Sequence, residues 1–338
     1  MTRDATIRAF LAGTAWADAA IAPLAQDASF RRYWRLAGPA GSAVLPVGSA
    51  VLMDAPPPED TAPFLRLAHH LGAIGLSAPT ILKADPDDGL VLEEDLGDAL
   101  LSVMLDAGTP AEPLLTRAAE ALVSLQRAAP PPDLPTWGAD EMTETALGTL
   151  FDWWWPARHG APAPTAARQD VAAGLHESLA PLRDGPRCMV HRDFFAGNLI
   201  DLPDRPGPRS IGIIDFQGAA IGHPAYDLMS LLQDARRDID PAIEAAVIRH
   251  YLAQRPELDP VGFRAAYAAC AAQRHLRVAC QWVRLAVRDH KPAYLVHGPR
   301  TWHRLTLALR HPAVAPLRSA LDRWVPPSDR ANPPGLQA

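Results

Sequence analysis

Three side chains near the middle of the sequence have the types and spacing that phosphoryl transfer requires. His191-Arg192-Asp193 precedes Asn198 in the pattern H-R-D-x-x-x-x-N, and Asp215 follows an apolar run further along. An aspartate beside an acceptor hydroxyl can orient it and take its proton, while an asparagine and a second aspartate can hold Mg²⁺ on the phosphates of a nucleotide. We therefore predict that Asp193 is the catalytic base and that Asn198 and Asp215 are metal ligands.

The order of the two motifs matters more than either motif alone. Each is a short string that recurs by chance, but the loop comes first and Asp215-Phe216 follows, as in a protein kinase. Together they predict a phosphotransferase site. We expect the His191 ring to pin the loop backbone. Asp227 opens a later helix, and we expect it to cap that helix or hold the loop, with direct ligation as the alternative.

Composition excludes several classes of partner. The 338 residues carry a net charge of −6 and no basic block, so we expect no nucleic acid partner. No apolar run approaches the roughly 20 residues that span a bilayer, so we expect no membrane segment. The three cysteines lack paired or metal-ligand spacing, which is typical of buried thiols in a reducing compartment. We therefore expect a cytoplasmic protein that acts on a small molecule, and we expect a monomer.

Apolar periodicity divides the sequence into a β-rich part and a helical part. A helix over 5–25, a hairpin, a helix over 61–72 and strands over 80–84 and 89–93 come first. Helices dominate afterwards. We predict an α+β, protein-kinase-like fold with two lobes. These are a nucleotide-binding lobe over 1–96 with a hinge near 93–97, a helical lobe over 97–325 that carries the catalytic loop and acceptor site, and a tail over 326–338. The nucleotide is expected between the lobes.

The phosphate-binding parts of a protein kinase are missing from the first lobe. There is no Gly-rich loop, the third strand has Met53 or a neighbour where a lysine would stand, and Glu59 only precedes the next helix. The only lysines are Lys83, beside an exposed turn, and Lys291, far along the sequence. Because phosphates still require cations, an arginine must replace the lysine.

Three arginines on the first hairpin are candidates for that cation. Strand alternation places Arg31 and Arg35 on one face and Arg32 on the other. Ser29 and nearby backbone N–H groups can add anion contacts. The alternative is that these arginines are solvated charges that discourage pairing at a sheet edge.

The motifs together resemble the aminoglycoside phosphotransferase/choline kinase superfamily, and most closely its bacterial cell-wall amino-sugar kinases. The resemblance implies a kinase that uses ATP and Mg²⁺ to phosphorylate the anomeric hydroxyl of N-acetylmuramate or N-acetylglucosamine, in recycling of peptidoglycan sugars. It also implies nucleotide contacts at Glu94 and Leu96 in the hinge. The segments that carry it include His191-Arg192-Asp193 with Asn198, Ile213-Ile214-Asp215-Phe216-Gln217, Gly222-His223-Pro224-Ala225-Tyr226-Asp227-Leu228, Ala28-Ser29-Phe30-Arg31-Arg32-Tyr33, Glu94-Asp95-Leu96-Gly97-Asp98 and Gln273-Arg274-His275-Leu276.

Four side chains are candidates for binding the acceptor. Gln217 replaces the glycine of D-F-G beside the metal ligands, and Arg274 and His275 lie on a long helix over 261–288. An arginine suits a sugar that carries a carboxylate, such as N-acetylmuramate. Trp153 begins a run of three tryptophans that cannot all face the core, so one can stack on a sugar ring, with a packing cluster as the alternative.

Two other functions stay open at this point. The first is another small-molecule phosphotransferase with an aminoglycoside or choline-like acceptor. Such cationic acceptors call for an acidic wall, whereas the helical part mixes acidic residues with many arginines, which weighs against a polycation. The second is a nucleotide-binding module without catalysis. The absent lysine favours it, but the intact Asp193, Asn198 and Asp215 argue against it.

Overall fold

The computed structural model describes residues 2–24, 31–37 and 48–336. Ser29 lies outside these residues. The chain divides by its internal packing into two units. The first unit comprises Met1–Ala107 and Gly197–Gln217, and the second comprises Gly108–Ala196 and Gly218–Ala338. The lobe boundaries given above stay predictions.

Strands and helices follow the predicted change from a β-rich to a helical chain. The strands, in chain order, are β1 (Ala20–Pro23), β2 (Arg32–Ala37), β3 (Ser49–Asp54), β4 (Ile81–Asp85), β5 (Leu90–Glu94), β6 (Thr136–Trp137), β7 (Cys188–Val190), β8 (Leu199–Asp201), β9 (Ile211–Ile213) and β10 (Ala220–Gly222). The helices are α1 (Arg3–Leu11), α2 (Ala62–Ala73), α3 (Leu101–Asp106), α4 (Ala111–Arg127), α5 (Ala139–Thr149), α6 (Trp155–His159), α7 (Thr165–Ser178), α8 (Ala180–Arg183), α9 (Ala225–Leu232), α10 (Pro241–Ala253), α11 (Pro260–Arg288), α12 (Gly298–Ala308) and α13 (Ala315–Trp324).

The first unit is built on an antiparallel sheet in the order β1-β2-β3-β5-β4. Alternate residues of β2, β3 and β5 face α1, so that Leu36, Leu52 and Leu92 pack against Phe10 and Leu11 in a small core. This alternation is the period-2 signal that predicts the strands from the sequence. The remainder of β3 is buried as well, which accounts for its unbroken apolar run.

The predicted helix over 5–25 is wrong beyond Leu11. The Thr14 hydroxyl donates to the Leu11 carbonyl at 2.7 Å, and Gly13 has a φ of 77°, which ends the helix. The chain then forms β1, which pairs with β2. Because β2 is thereby an interior strand, its arginines are not the edge charges that the alternative reading supposed.

The hairpin of β8 and β9 belongs to the first unit although it lies far along the chain. The Ile213 N–H donates to the Ser77 carbonyl at 2.7 Å, and the Asp201 N–H donates to the Ala99 carbonyl at 2.8 Å. The guanidinium of Arg205, in the turn between the strands, forms an ion pair with Glu94. These contacts hold the ends of β8 and β9, where Asn198 and Asp215 lie, against the N-terminal sheet.

The second unit is organised around α11, which packs against α5, α9 and α12. Its inward face is rich in small residues, and Cys270 and Cys280 are buried there as free thiols. Small side chains allow neighbouring helices to approach closely, so a helix of 29 residues can be covered along most of its length. In the described residues, no helix is long and apolar enough to cross a membrane.

Two further features of the second unit differ from what the sequence pattern suggests. The strand β6 pairs with β10 in a small sheet β6-β10-β7, but two residues are too short for a periodic signal. Residues 326–336 pack onto the unit, because the Trp154 Nε1 donates to the Ala331 carbonyl at 2.9 Å and the Asn332 amide donates to the Leu295 carbonyl at 2.8 Å.

Helix α9 is short and ends before Arg236. Its last residue is Leu232, and the Asp234 carboxylate then accepts a hydrogen bond from the Arg236 N–H at 3.0 Å. An aspartate that bonds to the backbone two residues on favours a turn over continued helix. Arg236 therefore lies in a turn, and its side chain is not part of a helix face.

Candidate active site

The loop that carries Asp193 is held by a buried carboxylate. Asp227, on α9, is fully buried and accepts hydrogen bonds from the backbone N–H groups of His191 at 2.6 Å and of Arg192 at 3.0 Å. Burial raises the pKa of Asp227 to about 7, and the two backbone donors oppose that rise. Both carboxylate oxygens of Asp227 thus bind the backbone of the loop, which lies in the second unit.

The residues around Asp193 are fixed by contacts on both sides. The His191 Nδ1 accepts from the Asp193 N–H at 3.3 Å, and its ring lies edge-on to Phe194. Arg192 has a φ of 74°, and its guanidinium lies 4.0 Å from the ring centre of Trp137. A non-glycine residue in the left-handed region is uncommon and is found often at functional sites. The Asp193 side chain remains 54% exposed, as contact with a substrate requires.

Helix α11 places one cation beside Asp193. Arg274 is buried, and its Nη2 lies 3.8 Å from the Asp193 Oδ1. His275 is fully buried, with its Nε2 2.8 Å from the Gln233 Oε1. Burial lowers the pKa of His275 well below its usual value, and the charges of Arg304 and Arg274 lower it further. His275 is therefore a neutral residue of the unit's interior.

A second buried histidine in this region makes folding sensitive to acid. The His223 Nδ1 accepts from the Ala225 N–H at 3.1 Å, and burial lowers its pKa to about 4. Between pH 6.5 and 4 the unfolded chain binds a proton here that the folded chain does not. The free energy of unfolding should therefore fall as the pH drops through this range.

Replacing His223 by asparagine tests this effect. Asparagine keeps an acceptor for the Ala225 N–H but does not titrate. We expect the loss of unfolding free energy between pH 7 and 4.5, measured by urea titration, to shrink by about 2 kcal/mol. The same change at the exposed His303 serves as the control. A wild-type pH dependence in His223→Asn would contradict the assignment.

The predicted metal ligands lie together in the first unit. The Asn198 Nδ2 lies 3.4 Å from one oxygen of Asp215, and the Gln217 Nε2 donates to the other at 2.6 Å. Asp215 has a φ of 61°, again in the left-handed region. Phe216 stacks on Phe64 of α2 with ring centres 4.9 Å apart, which anchors the segment in the core. The carboxylate and the Asn198 amide supply hard oxygen donors, the type that Mg²⁺ prefers.

The three hairpin arginines have different partners. Arg32 pairs with the buried Asp54 at 2.6 Å, and Arg35 pairs with Asp95 at 2.6 Å. Arg35 also contacts Asp98 at 2.7 Å. The charge of Arg35 is therefore largely neutralised within the first unit, whereas Arg32 shares Asp54 with Arg3.

Arg31 differs from both because it is buried, with titratable neighbours that its charge affects. It is 8% exposed, and its Nε lies 3.2 Å from the Glu59 carboxylate. Burial raises the pKa of Glu93 to about 8, and Arg31 opposes that rise. Burial also raises the pKa of Tyr33 to about 12, with smaller effects of Glu93, Arg31 and Asp215. Arg31 and Asp215 thus both act on the phenol of Tyr33.

The two hinge residues have structural contacts in the first unit. The Glu94 carboxylate accepts from the Thr80 hydroxyl at 2.8 Å and pairs with Arg205. Leu96 is buried against Gly212. A Cβ added at Gly212 would lie 3.0 Å from the Leu96 Cδ1. Their nucleotide contacts remain predictions.

The tryptophan run lies in the second unit and mostly packs there. Residues 150–154 form a π-helical turn after α5, which inserts an extra residue into the helix and turns its side chains. Trp154 contacts Trp302, and Trp155 contacts Phe151, whereas Trp153 is half-buried. Trp154 and Trp155 therefore belong to a packing cluster, as the alternative expects. The sugar-stacking role of Trp153 remains a prediction.

Two residues near the site were not singled out from the sequence. Trp137 supports Arg192 from a strand too short to detect. Arg236 lies 4.8 Å from the ring centre of Phe195, two residues after Asp193. Asp234 is a sequence signal for the turn that contains Arg236, since aspartates commonly bond to the backbone two residues on.

Comparisons with known proteins identify the family of this chain. Residues 20–263 match the model of a phosphotransferase enzyme family. An N-acetylmuramate/N-acetylglucosamine kinase of Caulobacter vibrioides is 37% identical, over 97% of this chain and 98% of that protein. A protein of the same name from Pseudomonas aeruginosa is 34% identical, over 90% of this chain and 88% of that protein.

Solved structures of low identity share the fold. A choline/ethanolamine kinase family protein from Mesorhizobium loti superposes with a TM-score of 0.63 at 16% identity, covering 95% of this chain and 100% of that one. An ADP-bound aminoglycoside phosphotransferase gives 0.52 at 16% identity, covering 86% and 94%. The predicted protein-kinase-like α+β fold is thereby confirmed. The chain belongs to the phosphotransferase enzyme family and is a kinase that uses a nucleotide as its phosphoryl donor.

Proposed function

We propose that this kinase transfers the γ-phosphoryl group of ATP to the anomeric hydroxyl of N-acetylmuramate, N-acetylglucosamine or both. The observation that carries the proposal is the 37% identity along nearly the whole chain to an enzyme named for those two sugars. The side chains that the chemistry needs, Asp193, Asn198 and Asp215, accompany that identity. The physiological role would be recycling of peptidoglycan sugars in the cytoplasm, by a monomer.

The proposed reaction assigns the base role to Asp193. The anomeric oxygen attacks the γ-phosphorus, the bond from that phosphorus to the β–γ bridging oxygen breaks, and the hydroxyl proton passes to the Asp193 carboxylate. An anomeric hydroxyl is more acidic than other sugar hydroxyls, so a carboxylate suffices as base. The exposed position of Asp193 on a loop fixed by His191 and Asp227 supports this role.

Asn198 and Asp215 would hold Mg²⁺ together with phosphate oxygens and water. When bound, the ion neutralises the charge of the phosphates and orients them for in-line transfer. A site with one carboxylate and one amide fits Mg²⁺, because this ion keeps several waters and takes few protein ligands. Gln217, which donates to Asp215, would fix the carboxylate's orientation or meet the acceptor.

Arg31 is the hairpin arginine that we assign to the phosphates. It is buried, and its Nε lies 3.2 Å from the Glu59 carboxylate. Glu93, beside it, keeps its proton up to about pH 8, so it adds little negative charge at neutral pH. Arg31 and Glu59 would then take the place of the lysine–glutamate pair of protein kinases. Ser29, Glu94 and Leu96 complete the proposed nucleotide contacts, whereas Arg32 and Arg35 are held by carboxylates of their own unit.

Replacing Arg31 by glutamine should raise the KM for ATP by about 10- to 100-fold, because a charged hydrogen bond to phosphate contributes about 1.5–3 kcal/mol. The KM for the sugar should change little, and Arg31→Lys should recover part of the loss. Arg35→Gln is the matched control, since it removes the same charge from β2, the strand that directly follows Arg31. Equal effects of the two glutamine variants on the KM for ATP would contradict the assignment. Thermal unfolding of each variant checks that the fold is kept.

The acceptor class is tested with a substrate panel. ATP consumption with Mg²⁺ is measured against N-acetylmuramate, N-acetylglucosamine, kanamycin and choline. Turnover with either sugar supports the proposal, and turnover with the amines alone overturns it in favour of another phosphotransferase of the family. Binding of ATP without turnover of any acceptor would leave a nucleotide-binding module. Trp153, Arg274 and His275 are further acceptor candidates, and His275 would act only from the interior.

A further inference from the structure

Arg236 is held by aromatic rings beside the loop that carries the base. Its guanidinium carbon lies 4.8 Å from the ring centre of Phe195 and 5.6 Å from that of Trp282. Trp282 is itself stacked on Tyr294, and its Nε1 donates to the Thr301 hydroxyl at 3.0 Å. A guanidinium held by aromatic faces keeps its N–H edges available for planar, two-point hydrogen bonding.

The arginines around Arg236 have carboxylate partners, with Asp238 shared by Arg300 and Arg304, whereas Arg236 has none among the described residues. Arg237 pairs with Asp234 at 2.9 Å, and Arg300 pairs with Asp238 at 3.0 Å. The Asp234 carboxylate meets Arg236 only at its backbone N–H. Within residues 2–24, 31–37 and 48–336, no carboxylate forms an ion pair with the Arg236 guanidinium. A half-buried cation of this kind is suited to an anion that comes from outside the chain.

Arg236 lies near the loop of the proposed base, so an anion bound to it would lie near the acceptor. Its ring partner Phe195 is two residues from Asp193, and the Phe195 N–H donates to the Asp193 carbonyl at 3.1 Å. His297 packs on Trp282, and burial lowers its pKa, with Arg236 and Arg300 lowering it further. His297 is therefore neutral near pH 7 and does not add charge. Arg274, the other cation near the base, faces the Asp193 carboxylate itself.

We propose that Arg236 binds the carboxylate of an acidic acceptor sugar and thereby sets the preference between the two proposed substrates. N-acetylmuramate carries a lactyl ether that ends in a carboxylate, and N-acetylglucosamine is the same sugar without it. The inference rests on the proposed function. It assigns binding of the sugar carboxylate to Arg236, whereas the sequence analysis suggested Arg274 for it. A bidentate arginine–carboxylate contact would favour the acidic sugar.

Arg236→Gln tests the assignment with the two sugars as a matched pair. A charged hydrogen bond contributes about 1.5–3 kcal/mol, so kcat/KM for N-acetylmuramate should fall by about 10- to 100-fold. The value for N-acetylglucosamine and the KM for ATP should change little. Arg236→Lys should give an intermediate loss, since it keeps the charge without the planar fork. Arg249→Gln, at an exposed position on α10, controls for the lost charge.

Each outcome decides for or against the assignment. A selective loss for the acidic sugar in Arg236→Gln, absent in Arg249→Gln, supports it. Equal losses for both sugars would overturn it and leave Arg236 as a support of the loop, while a change confined to the KM for ATP would assign Arg236 to the phosphates. If the wild-type enzyme turns over neither sugar, the proposed function itself fails, which is visible before any variant is measured.

Discussion

Replacing Asp193 by asparagine is expected to lower kcat by about 10²- to 10⁴-fold, the range that general base catalysis contributes. The amide has the shape of the carboxylate but cannot accept the hydroxyl proton. The backbone of the loop should persist in the variant, because Asp227 and His191 hold it through main-chain N–H groups. Steady-state kinetics with saturating ATP and sugar measure the effect.

Two controls separate lost chemistry from lost structure in that experiment. Binding of ATP by calorimetry should match the wild type, since no phosphate contact is assigned to Asp193. Asp140→Asn, at an exposed position in the first turn of α5, should leave kcat unchanged. Full turnover by Asp193→Asn would show that another group takes the proton.

The second large effect is expected at Asp215. Asp215→Asn should lower kcat/KM by about 10²- to 10³-fold or more, because bound Mg²⁺ supplies several kcal/mol of charge stabilisation. The Gln217 amide donates to one Asp215 oxygen and the Asn198 amide faces the other. An asparagine at position 215 would lack the negative charge of the carboxylate. Its own NH₂ group would also face one of these two amide donors.

The effect of Asp215→Asn should differ in kind from that of Asp193→Asn. In calorimetric titrations, Mg²⁺ should strengthen ATP binding to the wild type and to Asp193→Asn, but much less to Asp215→Asn. Removing the metal with a chelator should abolish turnover in the wild type. An Asp215→Asn variant that keeps a wild-type Mg²⁺ dependence would contradict the ligand role.

The features that sequence predicts well are those whose signal is local. The strands β4 and β5 and the helix α2 lie within two residues of their predicted bounds, because apolar periodicity and turn residues bound each one. The order of Asp193, Asn198 and Asp215 likewise comes from short motifs in one stretch. These features are enough for the fold and for the class of reaction.

Most features that sequence misses depend on partners far apart in the chain, and one depends on a local side-chain hydrogen bond. Strand alternation places Arg32 on the face opposite Arg31 and Arg35. It cannot show that Arg32 pairs with Asp54 of β3 or that Arg35 pairs with Asp95 and Asp98. The burial of Arg31, which supports its proposed phosphate role, is likewise visible only in the assembled unit. The early end of α9, which places Arg236 in a turn, depends on one side-chain hydrogen bond that periodicity does not register.

Together these assignments describe a kinase that lacks the usual phosphate lysine. Arg31, Asn198 and Asp215 would carry the charge of the nucleotide, and Asp193 would deprotonate the acceptor. Arg236 would recognise an acidic substituent on the sugar. The proposed nucleotide residue Arg31 lies in the first unit and the proposed acceptor residue Arg236 lies in the second, so variants at these two positions should affect the KM of different substrates.

The site of phosphorylation on the sugar tests the central proposal most directly. The enzyme is incubated with ATP, Mg²⁺ and either N-acetylmuramate or N-acetylglucosamine, and the product is examined by proton-coupled phosphorus NMR. The proposal predicts a phosphorus signal that couples to the anomeric proton of the sugar. A signal coupled to any other ring or side-chain proton, or ATP consumption without a sugar phosphate, would contradict it.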